Sequence, residues 1–99
     1  MYLVSYDIEK DSLRTKIGKR LIAEGLHRIQ YSVYLGQLKK EDYLELLKWL
    51  KQAMQKSNQN KDSVIILFLE RPQVKNMTII GAEKLDISEL LDEKDVLSF

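Results

Sequence analysis

The sequence predicts one mixed α and β domain: a single sheet with both helices on one face, closed as a homodimer across the other. Three observations predict it. Two stretches alternate apolar and polar residues with the period of two of a half-buried strand. Two others repeat apolar residues at the three- and four-residue spacing of an amphipathic helix. Finally, Val64–Leu69 is a run of six apolar residues, the pattern of a strand buried on both faces. At 99 residues the chain has room for one domain.

Tyr2 to Ile8 reads as the first strand, with Tyr2, Val4, Tyr6 and Ile8 on one face and Leu3, Ser5 and Asp7 on the other. Asp11 or Ser12 is placed to cap a helix in which Leu13, Ile17 and Leu21 recur every four residues and which stops near Gly25. Lys16, Lys19 and Arg20 cluster opposite that stripe, and Arg14 flanks it. From Arg28 to Leu35 strict alternation returns, with Ile29, Tyr31, Val33 and Leu35 on one side and Arg28, Gln30, Ser32 and Tyr34 on the other. Gly36 ends this strand. A second helix spans about Lys40 to Lys56, burying Tyr43, Leu46, Leu47, Leu50 and Met54 with Trp49 at the edge. Ser57–Lys61 is a polar loop, Arg71 and Pro72 break the Val64–Leu69 strand, and Met77–Ile80 reads as a further short strand ending at Gly81.

With both helices assigned to one face, the other face is polar along the first two strands and apolar along Val64–Leu69. Such a surface needs a partner, and a two-fold homodimer is the commonest solution. The Asp7 and Arg28 side of the sheet is then expected inside the interface or at its rim.

Composition narrows the chemistry. The chain has no cysteine and one histidine, His27. That excludes disulfide scaffolds, thiolate zinc, iron–sulfur clusters, thiol catalysis and Ser-His-Asp chemistry. No apolar run reaches the ~18–20 residues of a membrane span, so a soluble, cytoplasmic protein with no membrane partner is expected. The net charge of +1 hides an asymmetry. Residues 10–61 carry twelve Lys/Arg against five Asp/Glu, whereas residues 70–99 carry four against seven. A basic middle suits a polyanion, although solvated helix faces give the same count.

Asp7 ends the first strand where it runs into a loop. A carboxylate there can ligate Mg²⁺, which takes one or two carboxylates and keeps several waters. One aspartate per chain is thin, but a two-fold axis supplies a second, and the pair with a metal can activate water against a phosphodiester. The plainer alternative is that Asp7 shapes the turn. Arg14, Lys16, Lys19, Arg20 and Arg28 are candidate phosphate contacts, the arginines through bidentate bonds. No phosphate-binding glycine loop, dinucleotide fingerprint or Cys/His metal spacing is present.

A strand ending Tyr6-Asp7-Ile8, a helix opening at Leu13-Arg14 and the run Gly25-Leu-His-Arg-Ile-Gln-Tyr-Ser-Val-Tyr34 together resemble the second of the two core CRISPR-associated spacer-acquisition proteins. The similarity spans nearly the whole chain and is sharpest over residues 1–36. It implies a ferredoxin-like βαββαβ sandwich over residues 1–81, with residues 82–99 adding strand pairing across a homodimer or contacting another partner. It also implies that the second strand splits, into a short piece near Arg28–Gln30 and another around Ser32–Gln37. The implied activity is Mg²⁺-dependent endonuclease cleavage of single-stranded RNA or double-stranded DNA, within a complex that integrates foreign DNA into a CRISPR array. By position, the metal-associated aspartate is Asp7 with Tyr6 beside it. Arg14, Lys16 and Arg28 match the basic residues of binding or cleavage, and Tyr34 matches the aromatic closing the Ser-Val-Phe motif. Lys16 stands where relatives often carry arginine, and Tyr34 where they carry phenylalanine. Two functions compete. One is a nuclease using Asp7, Tyr6, Arg14 and Arg28; the other is a non-catalytic DNA-binding scaffold between CRISPR integrase subunits. A toxin-like RNA nuclease outside a CRISPR locus is a third.

Overall fold

The computed structural model describes residues 1–57, 60–81 and Leu90–Leu91. Its elements are β1 (Tyr2–Asp7), α1 (Asp11–Ala23), β2 (His27–Gln30), β3 (Val33–Gly36), α2 (Lys40–Met54), β4 (Ser63–Phe68) and α3 (Arg71–Lys75). The four strands form one sheet in the order β2-β3-β1-β4, with every neighbouring pair antiparallel. Each βαβ unit therefore leaves a gap that the other fills, which is the ferredoxin-like arrangement.

Helix α1 starts at Asp11 with Lys10 at its N-cap, and no side chain caps it, so neither Asp11 nor Ser12 does the capping expected of it. It ends through Gly25, whose φ of 93° is the left-handed turn that closes a helix. The Leu13, Ile17 and Leu21 stripe packs with Val4, Ile8, Leu26 and Tyr34 of the strand layer and Leu46, Leu50 and Ala53 of α2. Both helices thus cover one face of the sheet.

The segment from Arg28 to Leu35 is two strands, not one. Ser32, at φ 67°, turns the chain tightly between β2 and β3, and a bulge interrupts the pairing between Arg28 and Gln30. Arg28 faces Tyr34, and Tyr34 faces Val4, so Arg28 and Tyr34 lie on the helix-covered side. Leu35 faces Leu3, and Gln30 faces Val33, on the side away from the helices. The expectation that Asp7 and Arg28 share a face is therefore wrong. The reason is that both faces carry apolar residues: Ile29 and Leu35 pack with Leu3, Met1, Val74, Leu90 and Leu91 in a second cluster. An apolar side consequently does not identify the helix side.

Two further expectations change. In β4, Val64 and Ile66 sit half-buried under the helices, but Ile65 and Leu67 on the other face are 64% and 52% exposed within one chain. The strand is buried on one face only. After it, Arg71–Lys75 forms a short helix because Glu70 and Gln73 make a reciprocal capping box and Pro72 lies in the first turn. Met77–Ile80 is not a strand, having no ladder partner among the described residues. It runs irregularly past Leu3, Ile29 and Val33. The acidic segment expected to pair across the dimer, 82–99, lies outside the described residues apart from Leu90 and Leu91, both buried. No helix among the described residues is long and apolar enough to cross a membrane.

Candidate nucleic-acid and metal site

Asp7 is the last residue of β1, is exposed, and pairs with Ser63 of β4 on the face turned away from the helices. Further along the same face, Ser5 opposes Ile65 and Leu3 opposes Leu67. The backbone beyond Asp7 is gripped from two sides. Arg14 Nη1 donates to the carbonyl oxygens of Ile8 and Glu9, both at 2.8 Å, while its Nη2 pairs with Asp11. The Glu9 N–H donates to Asp62 Oδ1 at 3.1 Å, and the Ser57 hydroxyl donates to Asp62 Oδ2.

No group of three or more His, Cys, Asp or Glu residues is gathered for a metal among the described residues. What Asp7 offers is a hard oxygen donor at an exposed strand end. That chemistry suits Mg²⁺, which keeps most of its water, and a second copy of the chain would double the carboxylate count.

Tyr6 points the other way, under α1. Its hydroxyl is bonded to that of Tyr34, and the two rings lie 6.0 Å apart between centroids. Burial, then the bond to Tyr34 and its charge, push the Tyr6 phenol up to about 12, against the opposing effects of Ser32 and Arg28. Gly18 allows this closeness, since a Cβ there would lie 2.8 Å from Tyr34 Oη and 3.3 Å from Tyr6 Oη. The Tyr6 backbone N–H also donates to Ser32 O at 3.0 Å, tying β1 to the turn.

Over the tyrosine pair lies an open cleft of about 450 Å³ whose lining includes Tyr6, Arg14, Lys19, Arg28, Tyr31 and Tyr34. The Arg28 guanidinium rests 5.1 Å from the Tyr31 ring centroid, a cation–π contact. Lys16 and Arg20 lie elsewhere. They project over Trp49 of α2, at 5.9 and 5.0 Å, and Arg20 is also bonded to Glu24 at 2.9 Å. The neighbouring Lys56 ammonium disfavours a second positive charge beside it and lowers the Lys16 pKa. The basic residues of α1 therefore serve two surfaces: Arg14 and Lys19 with Arg28, and Lys16 and Arg20 with Trp49.

The fold thus brings Tyr6, Arg28 and Tyr34 together, and sets Asp7 on the opposite side of the sheet. Sequence reasoning did not find Asp62, whose contact with Glu9 joins residues 53 apart and leaves no periodic trace. Gly18 had a weak signal, a glycine inside a helical repeat, which often marks close packing.

The family model for "CRISPR associated protein Cas2" matches residues 1–77. A protein called CRISPR-associated endoribonuclease Cas2 2, from Pyrobaculum aerophilum, is 33% identical over 82 residues, covering 82% of this chain and 87% of its own. CRISPR-associated endoribonuclease Cas2 of Aeropyrum pernix is 29% identical over 89 residues, covering 85% and 88%. The crystal structure of Streptococcus pyogenes Cas2 at pH 6.5 superposes with a TM-score of 0.67 at 20% identity, covering 81% of this chain and 98% of that one. That likeness establishes the shared ferredoxin-like fold. The family match runs from the first strand past α3, through the Tyr6-Asp7 strand end, the basic α1 and the Ser32 turn, and the chain belongs to the Cas2 family of CRISPR-associated proteins.

Proposed function

We propose that the protein is a CRISPR-associated endonuclease acting on RNA as a homodimer, with the Asp7 carboxylates of two copies holding Mg²⁺. The observation that carries this reading is that Asp7 shares its sheet face with the uncovered Ile65 and Leu67. Closing that face with a second copy removes the apolar surface from water and brings the two Asp7 strand ends toward one axis. Two relatives of similar length carry the name endoribonuclease, which favours RNA as the substrate. Mg²⁺ bound there would supply the charge that polarises a phosphodiester and acidifies water. Lys19 and Arg28 bind and orient the phosphate chain, and Tyr6, its phenol pushed up by burial, packs on Tyr34 and holds β1 against α1 beneath them.

A second reading is favoured by one observation: the Lys19–Arg28 cleft and Asp7 lie on opposite sides of the sheet, so phosphate binding does not depend on the carboxylate. In that reading the protein is a duplex-DNA scaffold for spacer integration, with residues 82–99 meeting the integrase subunits. Cleavage of single-stranded RNA and of double-stranded DNA, each with Mg²⁺ or EDTA, separates the two. The nuclease reading expects cleavage by wild type that is lost with EDTA and in a dimeric Asp7→Asn variant. Equal cleavage by both proteins would overturn the metal role. No cleavage, with salt-dependent duplex binding retained, would support the scaffold.

A further inference from the structure

We propose that Asp62 and Arg14 are positioning residues that together fix the strand end bearing Asp7, and that Arg14 does not serve as a phosphate contact. The inference rests on the nuclease reading above. Asp7 is the last pair of the β1–β4 ladder, opposite Ser63, and the peptide groups that follow it lead straight into the loop. Those groups are held on both edges. The Glu9 N–H donates to Asp62 Oδ1, and the carbonyls of Ile8 and Glu9 both accept from Arg14 Nη1.

Each clamp is itself anchored. Asp62 uses its second oxygen to accept from Ser57, just past α2, so one carboxylate staples the loop after β1 to the end of α2 and the start of β4. Arg14 Nη2 is held by its ion pair with the exposed carboxylate of Asp11. Its Nη1 and Nη2 are thus both directed at its own chain, whereas a phosphate contact needs that fork free. Lys19 and Arg28, in the same cleft, carry no such backbone bonds among those described, and they are left as the phosphate contacts. Both clamps act on Asp7 through the backbone, where a displacement of about 1 Å can cost roughly a hundredfold in rate.

The test compares Asp62→Ala, Asp62→Asn and Arg14→Lys with wild type, on protein checked for an intact dimer and a cooperative melt. Cleavage of a single-stranded RNA oligonucleotide is followed against Mg²⁺ concentration, and binding of the same oligonucleotide is measured in EDTA. Asp62→Ala and Arg14→Lys are expected to lower kcat by about tenfold or more and to raise the Mg²⁺ requirement, with RNA affinity unchanged within about twofold. Asp62→Asn keeps an acceptor for the Glu9 N–H and is expected to recover most of the rate. Exchange of the Glu9 amide proton, read by NMR, should accelerate in Asp62→Ala alone. Unchanged kcat and unchanged Glu9 exchange in Asp62→Ala would overturn the proposal. So would an Arg14→Lys variant that loses RNA affinity while keeping kcat. If wild type itself does not depend on Asp7, the nuclease reading fails, and the Glu9 exchange still decides whether the clamp exists.

Discussion

Replacing Leu67 by aspartate tests the surface on which the proposed dimer depends. Leu67 lies on the open sheet face and is 52% exposed in one chain. Fully burying a leucine is worth ~1.5–3 kcal/mol, so covering the exposed half contributes about 1 kcal/mol per chain and about 2 kcal/mol per dimer. A carboxylate at each copy of the site adds a desolvation cost of about 1–3 kcal/mol per chain where it finds no partner. Together these come to about 4–8 kcal/mol per dimer, or roughly three to six powers of ten in the dimer dissociation constant. Sedimentation equilibrium across a range of concentrations reads this shift, and cleavage should fall with the dimer fraction because Asp7 loses its counterpart. Leu44→Asp is the control. Leu44 is 53% exposed, but on α2, and the substitution there should leave association unchanged. A Leu67→Asp protein as tightly dimeric as wild type would refute the assignment of this face. Equal weakening by both variants would show that added charge, not the face, is responsible.

Three other outcomes are expected. Gly18→Ala raises helix propensity by about 1 kcal/mol, but overpacking against buried Tyr34 costs about 1–3 kcal/mol. Urea unfolding should therefore show a net loss of up to about 2 kcal/mol, and a stabilised variant would contradict the tight approach of the tyrosines. For Tyr6, the unfolded phenol ionises near its ordinary value of 10.0 while the folded one holds its proton to about 12. The unfolded chain then binds fewer protons between those values, so this contribution is intact below pH ~10 and is lost as pH rises toward ~12. Tyr6 is partly exposed, and solvent screening reduces the contribution to about 1 kcal/mol; in EDTA, Tyr6→Phe should unfold with a flatter pH dependence across that window. Finally, Lys19→Gln with Arg28→Gln should shallow the logarithmic salt dependence of single-strand binding by about 1.4, at about 0.7 per phosphate contact, and an unchanged slope would remove both from the interface.

The split of Arg28–Leu35 into β2 and β3 shows where sequence reading reached its limit. The alternation grouped Arg28, Gln30, Ser32 and Tyr34 against Ile29, Tyr31, Val33 and Leu35. Arg28 stays with Tyr34 and Val33 with Leu35, but the bulge puts Gln30 beside Val33, and Tyr31 lies against Arg28. The alternation did not say which group meets the helices. Period two fixes that two sets of side chains point oppositely, and only the register against β1 decides which set points where. Val4 opposite Tyr34 settles it, and a one-residue slip would have reversed every assignment. The same limit explains Asp62 and Arg14, whose roles are hydrogen bonds to the backbone of a loop and depend on where that loop lies.

By itself the sequence determined the two strand-like alternations, the stripes of α1 and α2, the lack of any cysteine thiol, and the candidates Asp7, Tyr6 and Arg28. Those are consequences of local periodicity and residue chemistry, which the chain carries in any conformation. Tertiary structure decided that Asp7 and Arg28 stand on opposite faces, that Ile65 and Leu67 lie uncovered in one chain, and that Arg14 is spent on its own loop. Each of these depends on contacts between residues distant in the chain, and such contacts exist only once the sheet has chosen its register.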